Sequence, residues 1–151
     1  MFGMMDGKRI FVRCDDGLTA ADIIAKAVRE KNDINAIASK GQNSLCIMIW
    51  NYHDDDVAAI TSPVELVIKG VEKSKVLVHH YRVDKQFSNS FEKWKDIGKP
   101  QQVTEEQYKE LERAGQLQLY TSPEWKETKN GTVALKFDLP VQAVSFIQLT
   151  W

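Results

Sequence analysis

The sequence predicts a mainly β protein, a β-sandwich of about eight strands carrying an inserted helix-loop-helix at about 88–115. Three observations carry that reading. Apolar residues recur with a period of two in short stretches along most of the chain. Glycine, asparagine, aspartate and proline fall between those stretches, where turns are needed. The stretch within 88–115 changes to helical spacing between good caps.

Taken in order, Asp6 and Gly7 favour a turn before Lys8–Arg13, a strand alternating around Ile10 and Val12. Asp16 and Gly17 mark another turn. Thr19 then caps an expected helix carrying Ile23, Ile24, Ala27 and Val28, which Asn32 and Asp33 break. Ile34–Ser39 reads as a small-residue strand, followed by a turn at Gly41. Leu45–Trp50 is apolar at every position, the pattern of a central strand covered on both faces. A sandwich strand needs only alternation, so a second cover is expected, either the helical insertion or further protein. Asp54–Pro63 reads as a loop. Val64, Leu66 and Ile68 alternate with Glu65, Val67 and Lys69 up to Gly70, and Val76–Val83 puts Val76, Val78 and His80 on one side and Leu77, His79, Tyr81 and Val83 on the other.

The insertion begins with Asn89 as cap and Glu92 as its capping-box partner. Phe91, Trp94 and Ile97 share a face, Trp94 is expected in the core, and Gly98 and Pro100 end the helix. A second helix starts at Thr104 with Gln107 completing the box, and Val103 and Tyr108 have staple spacing. Tyr108, Leu111 and Gly115 place an apolar seam and a stop. Strands at Leu117–Tyr120, Thr132–Asp138 and Ala143–Thr150 complete the set, with Asn130-Gly131 as a tight turn.

The chain of 151 residues, 43% hydrophobic and 27% charged, is one ordinary soluble domain. A net charge of -1 with no basic block excludes nucleic acid and anionic membrane surfaces as partners. No apolar run reaches the roughly 18 residues of a membrane span. The N-terminal MFGMMDGKRI is too short and wrongly flanked for a signal peptide. Cys14 and Cys46 sit in apolar surroundings as buried thiols or as a disulfide pair, and two isolated cysteines make no metal site.

His53, Asp54, Asp55 and Asp56 form a run that invites a metal reading. As an EF-hand it fails, because the sixth position from Asp54 is Ala59 and not glycine, although Glu65 falls at the twelfth. A turn-forming loop is the better account. His79 and His80 face opposite sides of one strand and cannot form a paired site. Arg82 shares the His80 face and Asp84 follows two residues on, the spacing of a structural ion pair. Glu105, Glu106, Glu110 and Glu112 form the solvated face of a helix, not the paired carboxylates of a glycosidase. Among Trp50, Trp94, Trp125 and Trp151, only Trp125 lies in a polar stretch, SPEWKETKNG, and is the candidate for stacking on a sugar.

Several of these residues fall in one ordered pattern. His80–Asp84 (HYRVD), Ser88-Asn89 with Trp94, Gly98 and Pro100, and Thr104–Leu117 resemble the region that follows the catalytic barrel in glycoside hydrolase family 39, the β-xylosidases and α-L-iduronidases. Trp50–Asp56, including His53 and Asp54, resembles a strand-end motif of the family, and Leu139–Leu149 resembles its last strand. The likeness is stronger to the bacterial β-xylosidase branch.

The resemblance implies a retaining hydrolase of terminal β-xylose that works with two barrel glutamates and with neither metal nor cofactor. A (β/α)₈ barrel takes about 250 residues, and no position here matches the acid/base or nucleophile motif, so no catalytic residue is carried over. What is implied is the non-catalytic sandwich, with the barrel as partner and xylo-oligosaccharide as a second candidate partner. Trp50, His53, Asp54, His80, Arg82, Asp84, Asn89, Trp94, Gly98 and Pro100 would be its structural motif residues. Phe2, Met4 and Met5 would lie in the link to the barrel, and the compartment would be set by a signal preceding that barrel.

Overall fold

The computed structural model describes residues 1–55 and 61–151. After a 3-10 turn at Phe2–Met4 come β1 (Lys8–Ile10), α1 (Ala20–Lys26), β2 (Asp33–Lys40), β3 (Ser44–Tyr52), β4 (Thr61–Lys69) and β5 (Lys75–Val83). The inserted helices α2 (Ser90–Asp96) and α3 (Glu105–Gly115) follow, then β6 (Gln118–Glu127), β7 (Thr132–Pro140) and β8 (Ala143–Thr150). Two antiparallel sheets result, one of six strands ordered β1-β2-β3-β8-β5-β6 and one of two strands, β4-β7. This is the mainly β fold with eight strands that the period-two patterning requires.

The core lies between the sheets. Leu45, Ile47 and Ile49 of β3, Val76 and Val78 of β5 and Ala143, Ile147 and Leu149 of β8 point inward and meet Ile68 of β4 and Val133, Leu135 and Leu139 of β7. Each is buried to 9% exposure or less, so each contributes on the order of 1.5–3 kcal/mol of apolar burial. The hairpin from β6 to β7 turns at Asn130 and Gly131, both at positive φ (49° and 68°), the geometry that Asn-Gly favours.

The outer side of β3 departs from expectation. The helical insertion is not its cover, because α2 and α3 pack chiefly against each other, with an ion pair from Lys93 to Glu110 (3.2 Å) and Gly115 close against Ser90. Instead, the N-terminal segment lies over Cys46, whose thiol donates to the Met4 carbonyl (3.6 Å). Burial raises the thiol pKa of both Cys46 and Cys14, and both cysteines are free. Phe146, also on the outer side, is fully buried between its strand neighbours Met48 and Tyr81.

Other boundaries move for physical reasons. The strand expected over Lys8–Arg13 stops at Ile10, and Phe11 is left 88% exposed. Thr19 forms a full capping box with Asp22, but α1 ends at Lys26, where Ala27 takes φ 57°, before Asn32 and Asp33 are reached. Its Ile24 is exposed, and only Val28 beyond the helix is buried. Thr61–Pro63, read as loop, belong to β4, and Pro63 is tolerated because β4 is an edge strand. β6 runs on to Glu127 despite its polar sequence, since an edge strand needs little apolar content. Gly115 is the last residue of α3 and not a left-handed stop; the chain leaves through Gln116 in extended conformation. Trp94 is half-buried and outside the core, and Phe91 is exposed at the surface, where the two rings stack at 5.7 Å.

Candidate functional site

The inward face of β5 changes character along its length. Val76 and Val78 are apolar, while His80 and Arg82, continuing the same face, carry a buried polar network. Arg82 is 1% exposed, and a buried guanidinium must be paired and hydrogen-bonded to be tolerated. Its Nε donates to the Ser145 hydroxyl (3.0 Å), Nη1 to Asp84 Oδ2 (3.3 Å) and Nη2 to the Asp138 carbonyl (2.8 Å). The Tyr120 ring lies 4.2 Å from the guanidinium carbon, with Phe137 further off at 5.8 Å. This desolvated cation therefore ties β5 to β8 within one sheet and to β7 in the other.

His80 completes the cluster. Its Nε2 is 2.9 Å from the Ser145 oxygen, and its ring packs against Tyr120 and Phe137. Ser145 accepts from Arg82, which can only donate, and directs its own proton to His80 Nε2. The ring is then neutral with its proton on Nδ1. Burial, reinforced by the Arg82 charge, lowers its pKa to about 4.

Asp84 carries the network outward. Its Oδ1 accepts from the amides of Gln86 (2.7 Å) and Phe87 (2.9 Å), an Asx-type turn that redirects the chain after β5. Ser88, at φ 53°, donates to the Arg82 carbonyl and accepts from the Gln118 amide, so the start and the end of the insertion are pinned together. Asn89 donates to the Asp84 carbonyl (2.8 Å) and accepts from the amides of Phe91 and Glu92, capping α2. Glu92 does not close the expected box; it pairs with Lys95 at 2.6 Å. At the far end Gly98 turns at φ 89°, and Trp94 Nε1 donates to the Pro100 carbonyl (3.0 Å), fixing the following loop to α2. Val103 and Tyr108, spaced as a staple, are both exposed.

The other candidates do separate work. Trp50 donates to Asp33 (2.9 Å), whose second oxygen accepts from the Leu18 amide (2.8 Å). His53 Nδ1 accepts from the Asp55 amide (3.0 Å) and Nε2 reaches the Arg29 carbonyl (3.1 Å), so both ring nitrogens are committed to backbone. Asp54 accepts from the Val28 amide (2.9 Å), which lowers its pKa. The run thus clamps the segment between α1 and β2; Asp56 and Ala59 lie outside the described residues. Trp125 sits on β6, 58% exposed, opposite Leu77 and with Lys75 Nζ 5.0 Å from its ring centre. Nothing brings Trp125 together with the Arg82 cluster.

Ser145 and Asn51 were not singled out by sequence reasoning, and Asp33 was named only as a helix breaker. For Ser145 and Asn51 a signal existed. Both occupy inward positions of strands that are otherwise apolar there, after Ala143 and Ile49 respectively, and a polar residue at such a place marks a buried bond. Asn51 donates to the Leu139 carbonyl (2.8 Å), a second bridge between the sheets.

The model of glycosyl hydrolases family 39 matches residues 1–131. The chain belongs to that family. No curated protein matches it. Among solved structures, the GH39 enzyme of Xanthomonas axonopodis pv. citri is similar with a TM-score of 0.68 at 12% identity, over 83% of this chain and 28% of that one. A bacterial orthologue of human α-L-iduronidase gives 0.65 at 17%, over 79% and 22%. A monomeric β-xylosidase of Caulobacter crescentus CB15 gives 0.65 at 15%, over 76% and 26%. At these identities the likeness is one of fold, and the family 39 chain described here spans about a quarter of the length of each of those three.

Proposed function

We propose that the chain is a non-catalytic accessory β-sandwich of a β-xylosidase-like glycoside hydrolase, supporting a catalytic (β/α)₈ barrel or the rim of its active site. The observation that carries this reading is the closed network of His80, Arg82, Asp84, Asn89 and Ser145. The family-motif residues on β5 and its exit turn are spent on one another and on backbone, buried, and directed at holding an insertion rigidly on a sheet. Hydrolysis of a glycosidic bond takes two carboxylates about 5 to 9 Å apart and open to substrate. Asp33 and Asp84, the buried acids among the described residues, are each engaged by structural donors.

The whole enzyme would release terminal β-linked xylose by a retaining mechanism on barrel carboxylates. Joining this chain to the barrel of a family 39 β-xylosidase, in place of that enzyme's own sandwich, tests the supporting role. The reading expects a higher temperature of half-inactivation than for the barrel alone; an equal temperature counts against it.

A second reading, a carbohydrate-binding module, is favoured by the exposed Trp125 ring, since an open aromatic face is what sugars stack upon. Titration with xylo-oligosaccharides while observing the indole signals separates the two readings.

A further inference from the structure

At the end of the sandwich where β2 turns into β3, positive charge gathers. Lys8 and Lys40 stand directly opposite each other across β1 and β2, and the pleat that turns Ala38 into the core puts both on the inward side. Like charges so placed repel. Lys69, the last residue of β4, and Lys73, in the connection to β5, come to the same end of the molecule as Lys40. None of the four has a carboxylate within ion-pair distance among the described residues.

Lys40, Lys69 and Lys73 line an open pocket of about 280 Å³. Its floor is Leu45, Ile68 and Val71, all buried, and the half-buried Trp151 ring packs on the core beside them. Glu72 is the one acid among its described lining residues. Backbone bonds hold the walls: the Trp151 amide donates to the Asn43 carbonyl (3.3 Å), the Val71 amide to the Gly131 carbonyl (3.0 Å) and the Thr128 amide to the Ser74 carbonyl (2.8 Å). The pocket is preformed, apolar at its base and cationic at its mouth.

We infer that this pocket binds a small aromatic carboxylate. The aliphatic floor offers no hydrogen-bonding side chain, so the body of the ligand is apolar, and the indole gives a flat ring a surface to lie against. The ammonium groups at the mouth take the carboxylate by charge-assisted bonds and relieve the repulsion between Lys8 and Lys40. A sugar acid fits worse, because its hydroxyl groups would lose water against Leu45, Ile68 and Val71 without finding partners. An inorganic anion would leave that floor uncovered. Binding here is independent of the supporting role proposed above.

The test is an NMR titration of the 151-residue chain with benzoate. The expected result is saturable shifts of the Trp151 indole signal and of the methyl groups of Leu45, Ile68 and Val71, with affinity falling as salt is added. Benzamide, which keeps the ring without the charge, should bind about tenfold more weakly, as should benzoate to the chain carrying Lys40→Gln and Lys73→Gln together. Both lysines are exposed, so the variant keeps the fold, which its amide spectrum verifies. No shifts at millimolar benzoate, shifts centred on Trp125, or equal affinity for benzamide would overturn the site. Equal or tighter binding of glucuronate or of inorganic phosphate would overturn the aromatic occupant. A barrel fusion without stabilisation would instead count against the supporting role and leave these shifts unchanged.

Discussion

Arg82 and Ser145 stand directly opposite each other on β5 and β8, and the arginine Nε donates to the serine hydroxyl across 3.0 Å. The serine sits at an inward position of β8 between Ala143 and Ile147, and the arginine between His80 and Asp84 along β5 and its exit. A cation there is held by a carboxylate, a hydroxyl, a backbone carbonyl and an aromatic face together. Removing the arginine strands all of these partners. Arg82→Ala is expected to destabilise the fold by about 3–5 kcal/mol, and Ser145→Ala by about 1–3 kcal/mol. Urea unfolding of the two variants checks both the size and the order.

The His80 ring makes stability depend on pH. Its folded pKa, about 4, lies below the unfolded value of 6.5, so the unfolded chain binds more protons between these limits. Stability contributed by neutral His80 is therefore complete above about pH 6.5 and is lost as pH falls toward 4, by about 3 kcal/mol in total. His80→Gln should flatten the stability profile in that window. Unfolding midpoints at pH 4, 5, 6 and 7 for the two proteins decide it.

Asn89 does two jobs, capping α2 and donating to the Asp84 carbonyl, whereas Thr104 only caps α3. Both alanine variants should lose about 0.5–2 kcal/mol, with Asn89→Ala the larger. Hydrogen exchange of the α2 amides, compared between the variants, shows whether the loss at Asn89 frees the first helix.

Trp125→Ala touches an exposed edge strand and should change stability by no more than about 0.5 kcal/mol. If the supporting role is correct, it also leaves any response to xylotetraose unchanged. A saturable indole shift in the parent chain that vanishes in the variant would favour the binding-module reading.

The period of two placed His80 and Arg82 on one face and gave the strand count, because each inward position along β5 and β8 obeys the pleat. The caps at Thr19, Asn89 and Thr104 were legible because capping is local chemistry. Strand ends were less legible: β6 is a polar edge strand held by its pairing to β5, and such pairing leaves little mark in composition. The convergence of Ser145, Asp138 and Tyr120 on Arg82 was hidden for the same reason, since it brings together residues more than 35 positions apart through the order of strands in the sheets. Trp94 misled by its size; its indole has a polar end, and the Pro100 carbonyl satisfies it outside the core.

In the proposed role this chain supports catalysis without performing it. The most direct test is incubation of the purified, folded 151-residue protein with an aryl β-xyloside, following release of the aryl group. The expected rate equals the buffer blank across pH 5 to 8. Turnover above that blank, lost on substitution of a carboxylate in this chain, would contradict it.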